Sequence, residues 1–286
     1  KGVNDVPSSA WYAKDMAKAL QMGTFVLDQN MRPESNITRQ EAFTVLARAF
    51  KIASTDTELK ALDGYADKGD IAVWAQAHLN AMAAAGYIKG SPDEKLNPKS
   101  NITRAEFAVV MDNLVKQYID KPGEVNQVTS NGNVMVRAAG ITLKGVTVKG
   151  DLIIADGVGN GEAILDGVKV EGRTVVRGGG VNSIIIRGNS SIGTVVVARA
   201  DGAVSVKVQG DANVEVIYID DGSDDVRLEG TFGDVKVKAS NITVSTIGAK
   251  IDSVAVSGDA SKVVVDKDSK IETLNVNQGA SNTSIE

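Results

Sequence analysis

Apolar and polar residues follow two different patterns along the chain, and the change comes near residue 120. Up to residue 115, apolar residues recur every three or four residues, which is the spacing of one face of an α-helix. This pattern predicts four amphipathic helices in two pairs. Their apolar faces are Trp11, Met16, Ala19 and Leu20 in the first; Phe43, Val45, Leu46, Ala49 and Phe50 in the second; Trp74, His78, Leu79 and Met82 in the third; and Phe107, Val110, Met111, Leu114 and Val115 in the fourth.

Short alternations of apolar and polar residues replace the helical spacing from about residue 133. Strand-like segments such as DLIIA, TVVVA, DVKVK and TLNVN begin about every 20 residues, a period typical of a solenoid in which each coil stacks on the last. With Val and Ile facing inward and charged residues outward, we predict a right-handed parallel β-helix over residues 133–286. A β-sandwich is the alternative, but the regular coil length and the lack of aromatic residues favour the β-helix.

The helical half contains an internal repeat. NITRQEAF begins at Asn36 and NITRAEF begins at Asn101, and each follows a similar loop, MRPES or LNPKS. One repeat is too small to bury its own helices, so we expect the two copies to share a core.

Each copy of the motif starts a helix. Thr38 with Glu41, and Thr103 with Glu106, have the Thr-x-x-Glu spacing of a capping box. Such a cap does not account for an arginine at the first helical position, where the positive end of the helix dipole disfavours a cation. Two interpretations of Arg39 and Arg104 stay open on the residues alone: each grips a carboxylate or phosphate of a ligand, or each pairs with a loop acid such as Glu34 or Asp93.

Composition excludes several classes of function. The net charge of −5 argues against a nucleic-acid partner, which would favour a basic surface. The chain has no cysteine, so disulfides and thiolate metal sites are impossible, and a single histidine removes His-rich metal sites. It starts with Lys1 and has no charged-then-apolar leader and no apolar run of membrane-spanning length. We expect a mature or excised segment without a transmembrane helix, with more chain beyond Glu286.

The helical half resembles the S-layer homology (SLH) repeat. The family pattern has a starting Asp-Val-Pro, a Trp-containing helix, a glycine turn, a proline and a closing Ile-Thr-Arg-Ala-Glu-Phe. The first copy supplies VNDVPSSAW and RPESNITRQEAF, and the second supplies GYIKG and LNPKSNITRAEF. The resemblance covers about residues 3–120 and implies all-α helix-loop-helix repeats at about 3–54 and 62–120.

The resemblance implies attachment without catalysis. Such repeats hold surface proteins to acidic, often pyruvylated, secondary polysaccharides of the bacterial cell wall, and the motif arginine meets the acid group of the ligand. Carried over to this chain, the ligand-binding residues are Arg39, Arg104, Gly86, Gly90, Trp11 and Trp74. Tryptophans with apolar neighbours at helical spacing are also typical of a core.

Two departures from the family pattern bear on that site. The first copy has Leu27 where the second has Gly90, which places a complete site in the first copy in doubt. The family commonly uses three repeats arranged as a pseudo-trimer, and only two are found here. An upstream repeat that was cut off, a pair that works alone, and a dimer all remain open.

The β-helical half has one acidic stretch, YIDDGSDDV, with Asp220, Asp221, Asp224 and Asp225. Aspartate and glycine between two strands favour a turn. Calcium binding through oxygen ligands and glycoside hydrolysis by paired carboxylates are the alternatives. Calcium is therefore the one cofactor considered.

These observations predict a bacterial cell-surface protein in three parts: SLH repeats at 1–122, a linker at 123–132 and a β-helix at 133–286. The repeats would anchor the chain to secondary cell-wall polysaccharide in the cell wall or S-layer, and the β-helix would be a rigid structural or assembly element, with self-association a further expectation. We expect no enzymatic activity. The alternative is a wall-anchored polysaccharide lyase or glycoside hydrolase whose catalytic domain is the β-helix.

Overall fold

A computed structural model describes residues 3–53, 56–128, 131–222 and 225–286 and divides the chain into two compact units, Lys1–Leu114 and Val115–Glu286. The boundary differs from the predicted one. Residues 117–125, which the sequence interpretation gave to the repeats and the linker, form two strands of the second unit. Pro122 and Gly123 suggested a linker because they favour a turn, but in the structure Gly123 is the first residue of the strand Gly123–Val125.

The first unit contains helices, with one antiparallel bridge between Thr38 and Asn101 that joins the two copies of the motif. The second and third helices pack on each other, and the unit's largest fully buried side chains include Phe43, Leu79, Met82 and Ile88. The α-helices are α1 Ala13–Gln21, α2 Arg39–Ala49, α3 Val73–Ala84 and α4 Arg104–Leu114, and short 3-10 helices span Lys60–Leu62 and Lys68–Asp70.

The four predicted helices are therefore present, but their predicted faces are not equally covered. Seven residues of α2 are buried, whereas α1 has none and α4 buries only Val110 and Leu114. Phe107, predicted to lie in the apolar face of α4, is 43% exposed. Helical spacing identified the element, but whether a neighbour covers the face depends on tertiary packing.

The second unit is a parallel β-solenoid, as the repeat length of its strands predicts. Every pairing between its described strands is parallel, and a strand pairs with the one about a coil later. The strands are β1 Gln117–Ile119, β2 Gly123–Val125, β3 Val134–Val136, β4 Ile141–Lys144, β5 Thr147–Val148, β6 Leu152–Ile154, β7 Ala163–Asp166, β8 Lys169–Val176, β9 Ile185–Arg187, β10 Ser191–Arg199, β11 Val204–Val208, β12 Asn213–Gly222, β13 Val226–Val237, β14 Thr243–Val256, β15 Lys262–Val264, β16 Lys270–Val276 and β17 Ser284–Ile285. A third short 3-10 helix spans Asp156–Val158.

Stacked aliphatic residues fill the interior of the coils. One column runs through Val195, Ile217, Val235 and Val254, all fully or almost fully buried. Alternation within each strand places these residues inward and their polar neighbours outward. The longer strands β10, β13 and β14 change register with a neighbouring coil at a bulge or irregularity.

Within the described residues, no helix is long and apolar enough to cross a membrane.

Candidate functional site

Both copies of the Thr-x-x-Glu motif form the predicted capping boxes. In the first copy the backbone N–H of Thr38 donates to Glu41 Oε2 (2.7 Å), and the N–H of Glu41 donates to the Thr38 hydroxyl (3.4 Å). In the second copy the corresponding distances, between Thr103 and Glu106, are 2.8 and 3.2 Å. The motif therefore starts α2 and α4 in the same way.

An aspartate closes the loop before each motif, a feature that the sequence interpretation missed. Asp5 accepts hydrogen bonds from the N–H groups of Met31 (2.8 Å) and Arg32 (2.7 Å). Asp67 accepts the equivalent bonds from Leu96 (2.9 Å) and Asn97 (2.7 Å). Arg32 and Asn97 both have positive φ, near 50°. The two loops thus have matching backbones, and the signal for this was an aspartate shortly before each tryptophan.

Arg39 is engaged inside the first unit. Its side chain is 9% exposed; Nε donates to the carbonyl of Leu96 (2.6 Å) and Nη1 donates to Glu106 (2.5 Å). The guanidinium also lies 5.1 Å from the ring centroid of Phe43. Of the two open interpretations, Arg39 therefore fits pairing with an acid, but the partner is the capping glutamate of the other repeat and neither Glu34 nor Asp93.

The first backbone N–H groups of α2 are also satisfied by the second repeat. The N–H of Arg39 donates to the carbonyl of Ser100 (2.8 Å), and the N–H of Gln40 donates to the carbonyl of Pro98 (3.0 Å). The backbone N–H and the hydroxyl of Thr103, together with the charge of Arg39, hold the pKa of Glu106 below its ordinary value. One contact therefore joins the start of α2 to the loop and capping box of the second repeat.

Arg104 has the opposite environment. It is exposed, and among the described residues it has no hydrogen-bond or ion-pair partner. The N–H groups of Arg104 and Ala105 likewise have no acceptor in the described part of the chain, since the first N–H groups of a helix have no intrahelical partner. A cation and two free N–H groups at the positive end of a helix dipole together favour a carboxylate or phosphate.

The two glycines proposed for the second copy have different structural roles. Gly86 has φ +74° and no atom near the place of a Cβ, like its counterpart Gly23 at +66°. At Gly90 a Cβ would lie 2.8 Å from the ring of Tyr65 and 3.0 Å from the carbonyl of Lys95. Glycine at 90 therefore makes room for Tyr65, a packing reason that does not require ligand access, and the first copy accommodates Leu27 with 54% of it exposed.

Both tryptophans are on the surface. Trp11 is 88% exposed and Trp74 is 51% exposed, so neither forms the core that their helical spacing permitted. They remain available as apolar surfaces for a ligand.

The acidic stretch of the solenoid is only partly described. Asp224 and the side chain of Asp221 lie outside the described residues, and the described Asp220 and Asp225 fall at the end of β12 and just before β13. Among the described residues, no group of three or more His, Asp or Glu side chains is arranged to hold a metal ion. Calcium binding at this stretch stays a prediction.

Comparison with known proteins places SLH domains in the first unit. The S-layer homology domain model matches residues 4–43 and 64–108. The chain is 32% identical over 129 residues to the surface-layer 125 kDa protein of Lysinibacillus sphaericus, covering 43% of this chain and 10% of that protein. It is 34% identical over 119 residues to the cellulosome-anchoring protein of Acetivibrio thermocellus (39% and 25%), and 31% identical over 116 residues to the amylopullulanase of Thermoanaerobacterium thermosulfurigenes (40% and 6%).

The matches place two SLH domains in the first unit and support a location at the cell wall or cell surface, and the structure shows a β-solenoid after these domains. The chain spans a quarter or less of the length of these relatives.

Proposed function

We propose that the first unit anchors the chain to an acidic, pyruvylated secondary polysaccharide of the bacterial cell wall, and that the solenoid is a rigid structural element without enzymatic activity. The two SLH domains support an anchoring role, and similarity to a surface-layer protein and a cellulosome-anchoring protein agrees with it.

The environment of Arg104 is the main observation that supports this proposal. A pyruvyl ketal presents a carboxylate, and a guanidinium can receive a carboxylate through two parallel hydrogen bonds. Arg104 is exposed and unpaired in the described residues, whereas Arg39 already holds Leu96 and Glu106. The acid group of the polymer therefore binds at the second copy, and Arg39 is a structural residue.

The exposed tryptophans extend the proposed site. Trp74 lies in the first turn of α3, and Trp11 lies two residues before the first residue of the equivalent helix α1. Each offers an apolar face on which a sugar ring can pack, whereas Arg104 supplies the charge recognition. Gly86 contributes through the backbone turn after α3.

The solenoid supports a structural role through its cross-coil contacts. Ion pairs link outward side chains of adjacent coils, including Lys144 to Glu124 and Lys207 to Glu229. Coils that are paired through parallel strands and filled with aliphatic residues form a continuous stack suited to act as a spacer. If the solenoid were a lyase or hydrolase, the chain would cleave a polysaccharide, and changing both Asp220 and Asp225 to Asn would abolish that activity.

Titration calorimetry of the 286-residue chain with purified wall polysaccharide tests the proposal. We expect binding to the pyruvylated polymer, and at least a tenfold loss after chemical removal of the pyruvyl groups or in Arg104→Ala. Arg32→Ala is the matched control, because it removes the same charge from an exposed residue of the same unit. Equal binding by Arg104→Ala and the unchanged chain would refute the assignment of Arg104.

A further inference from the structure

In the contact between the two repeats, the start of α2 in the first repeat meets the loop and capping box of the second repeat. The equivalent groups, at the start of α4 and in the loop and capping box of the first repeat, make no such contact within the described residues. At Arg39 and Gln40 the start of α2 donates, and the loop and capping box of the second repeat accept; one bond runs the other way, from the N–H of Ile102 to the carbonyl of Ile37 (3.2 Å). The sequence repeat places the same donors at the start of α4 and the same acceptors in the first repeat.

The unused donors form what we call the donor surface: the Arg104 guanidinium and the N–H groups of Arg104 and Ala105. They are equivalent to the groups of Arg39 and Gln40 that bond to the second repeat. Exposed apolar residues continue this surface along α4, since Phe107 is 43% and Val109 is 60% exposed. Their equivalents in α2, Ala42 and Thr44, are buried.

The unused acceptors form what we call the acceptor surface: the carbonyls of Met31, Pro33 and Ser35, and Glu41. They are equivalent to Leu96, Pro98, Ser100 and Glu106, and the matching aspartate clasps give the two loops the same course. Within the described chain, the three carbonyls accept no hydrogen bond. Leu96 and Pro98 are buried, whereas Met31 and Pro33 are partly exposed.

We propose that the donor surface of one chain binds the acceptor surface of a second copy, with Arg104 of one chain paired with Glu41 of the other. The internal contact supplies the geometry: Arg104 would hold the carbonyl of Met31 and Glu41 as Arg39 holds Leu96 and Glu106. Glu41 uses Oε2 in its capping box, as Glu106 does, which leaves Oε1 for the arginine.

The contact between copies is weaker than the internal one, because two of its parts have no counterpart. Gln40 accepts from the N–H of Ala72, but Ala105 has no side-chain acceptor. Phe43 lies beneath the guanidinium of Arg39, but Ala108 takes that place in α4. Association is therefore expected to depend on chain concentration and to be sensitive to the single Arg104–Glu41 pair.

Sedimentation equilibrium of the full chain without polysaccharide tests this proposal independently of polymer binding. We expect self-association within the range up to about 1 mM, the Kd of a weak complex. Arg104→Glu places two acids face to face and should weaken association at least tenfold. Arg227→Glu, an equal charge reversal at an exposed arginine of β13 that belongs to neither surface, should leave it unchanged.

A mixing experiment identifies the two faces. Glu41→Gln keeps a carbonyl oxygen for the capping box but loses the charge, so it should also associate more weakly. An equimolar mixture of Arg104→Glu and Glu41→Gln chains retains one native Arg104–Glu41 pair, and we expect it to associate more strongly than Arg104→Glu alone. A monomeric unchanged chain at every concentration, an Arg104→Glu variant that associates normally, or no recovery on mixing would each overturn the proposal.

Discussion

Two arginines from the same motif have different environments, one buried and paired and the other exposed, and this difference predicts unequal effects on stability. Arg39→Ala leaves the Leu96 carbonyl and Glu106 without their charged donor, so we expect it to lower the free energy of unfolding of the first unit by about 2–3 kcal/mol. Arg104→Ala changes an exposed side chain and should stay within about 0.5 kcal/mol. Urea denaturation followed by helical circular dichroism measures both. Equal losses would contradict the structural assignment of Arg39.

The single histidine reports the pH dependence of the first unit. Partial burial, and then the positive charge of Arg48, lower the pKa of His78, and Arg48 Nε donates to its Nε2 (3.3 Å), which requires a neutral ring. The unfolded chain therefore binds this proton more readily than the folded one. The associated stability is complete above the ordinary pKa of 6.5 and is lost as the pH falls through the lower folded value.

An NMR titration measures this directly, because the one histidine in the chain gives one set of imidazole signals. We expect a midpoint below 6.5 in the chain and a higher midpoint in Arg48→Gln, which loses the repulsive charge. A midpoint at or above 6.5 in the unchanged chain would contradict the environment described for His78.

At the scale of the elements, coil spacing in the solenoid depends on glycine where two backbones approach. A Cβ on Gly233 would lie 2.3 Å from the carbonyl oxygen of Glu215 in the preceding coil, so Gly233→Ala should cost about 1–3 kcal/mol through overpacking. Gly193 neighbours the same residue from the other side, but a Cβ there would be 3.7 Å from the Glu215 carboxylate. Gly193→Ala should be neutral or slightly stabilising, and thermal unfolding of the two variants compares them. Similar melting temperatures would show that the close approach is not required.

Local sequence patterns predicted the helices and strands well, and contacts between residues far apart in the chain account for the features that these patterns missed. Thr38 and Glu41 are three residues apart, so their capping box can be recognised in the sequence. The strands were equally visible through alternation and a constant repeat. The partner of Arg39 lies in the other repeat, and Tyr65, which explains Gly90, lies far from it along the chain. Neither contact can be predicted from the spacing of residues. The same limit applies to Phe107, whose apolar side chain was predicted to lie in a buried face but is 43% exposed.

At the scale of the whole molecule, the two proposals give Arg104 two different acidic partners. A pyruvyl carboxylate of the wall polymer and Glu41 of a second copy would use the same guanidinium and the same helix start. Binding of one therefore excludes the other, and each raises the apparent Kd of the other by a factor that grows with its own concentration. Attachment to the wall would dissociate the chains at this surface. Self-association would cover Arg104 and prevent it from binding the polymer.

A short pyruvylated fragment of the polymer tests this competition, because its own mass barely changes that of the chain. We expect saturating fragment to shift the sedimentation equilibrium toward single chains, and the same fragment without its pyruvyl group to have no effect. Conversely, the fragment should bind Glu41→Gln more tightly than the unchanged chain at high protein concentration, since that variant covers its Arg104 less often. If saturating fragment leaves the association unchanged, Arg104 does not serve both partners, and the variants of Arg104 and Glu41 then decide which of the two contacts it makes.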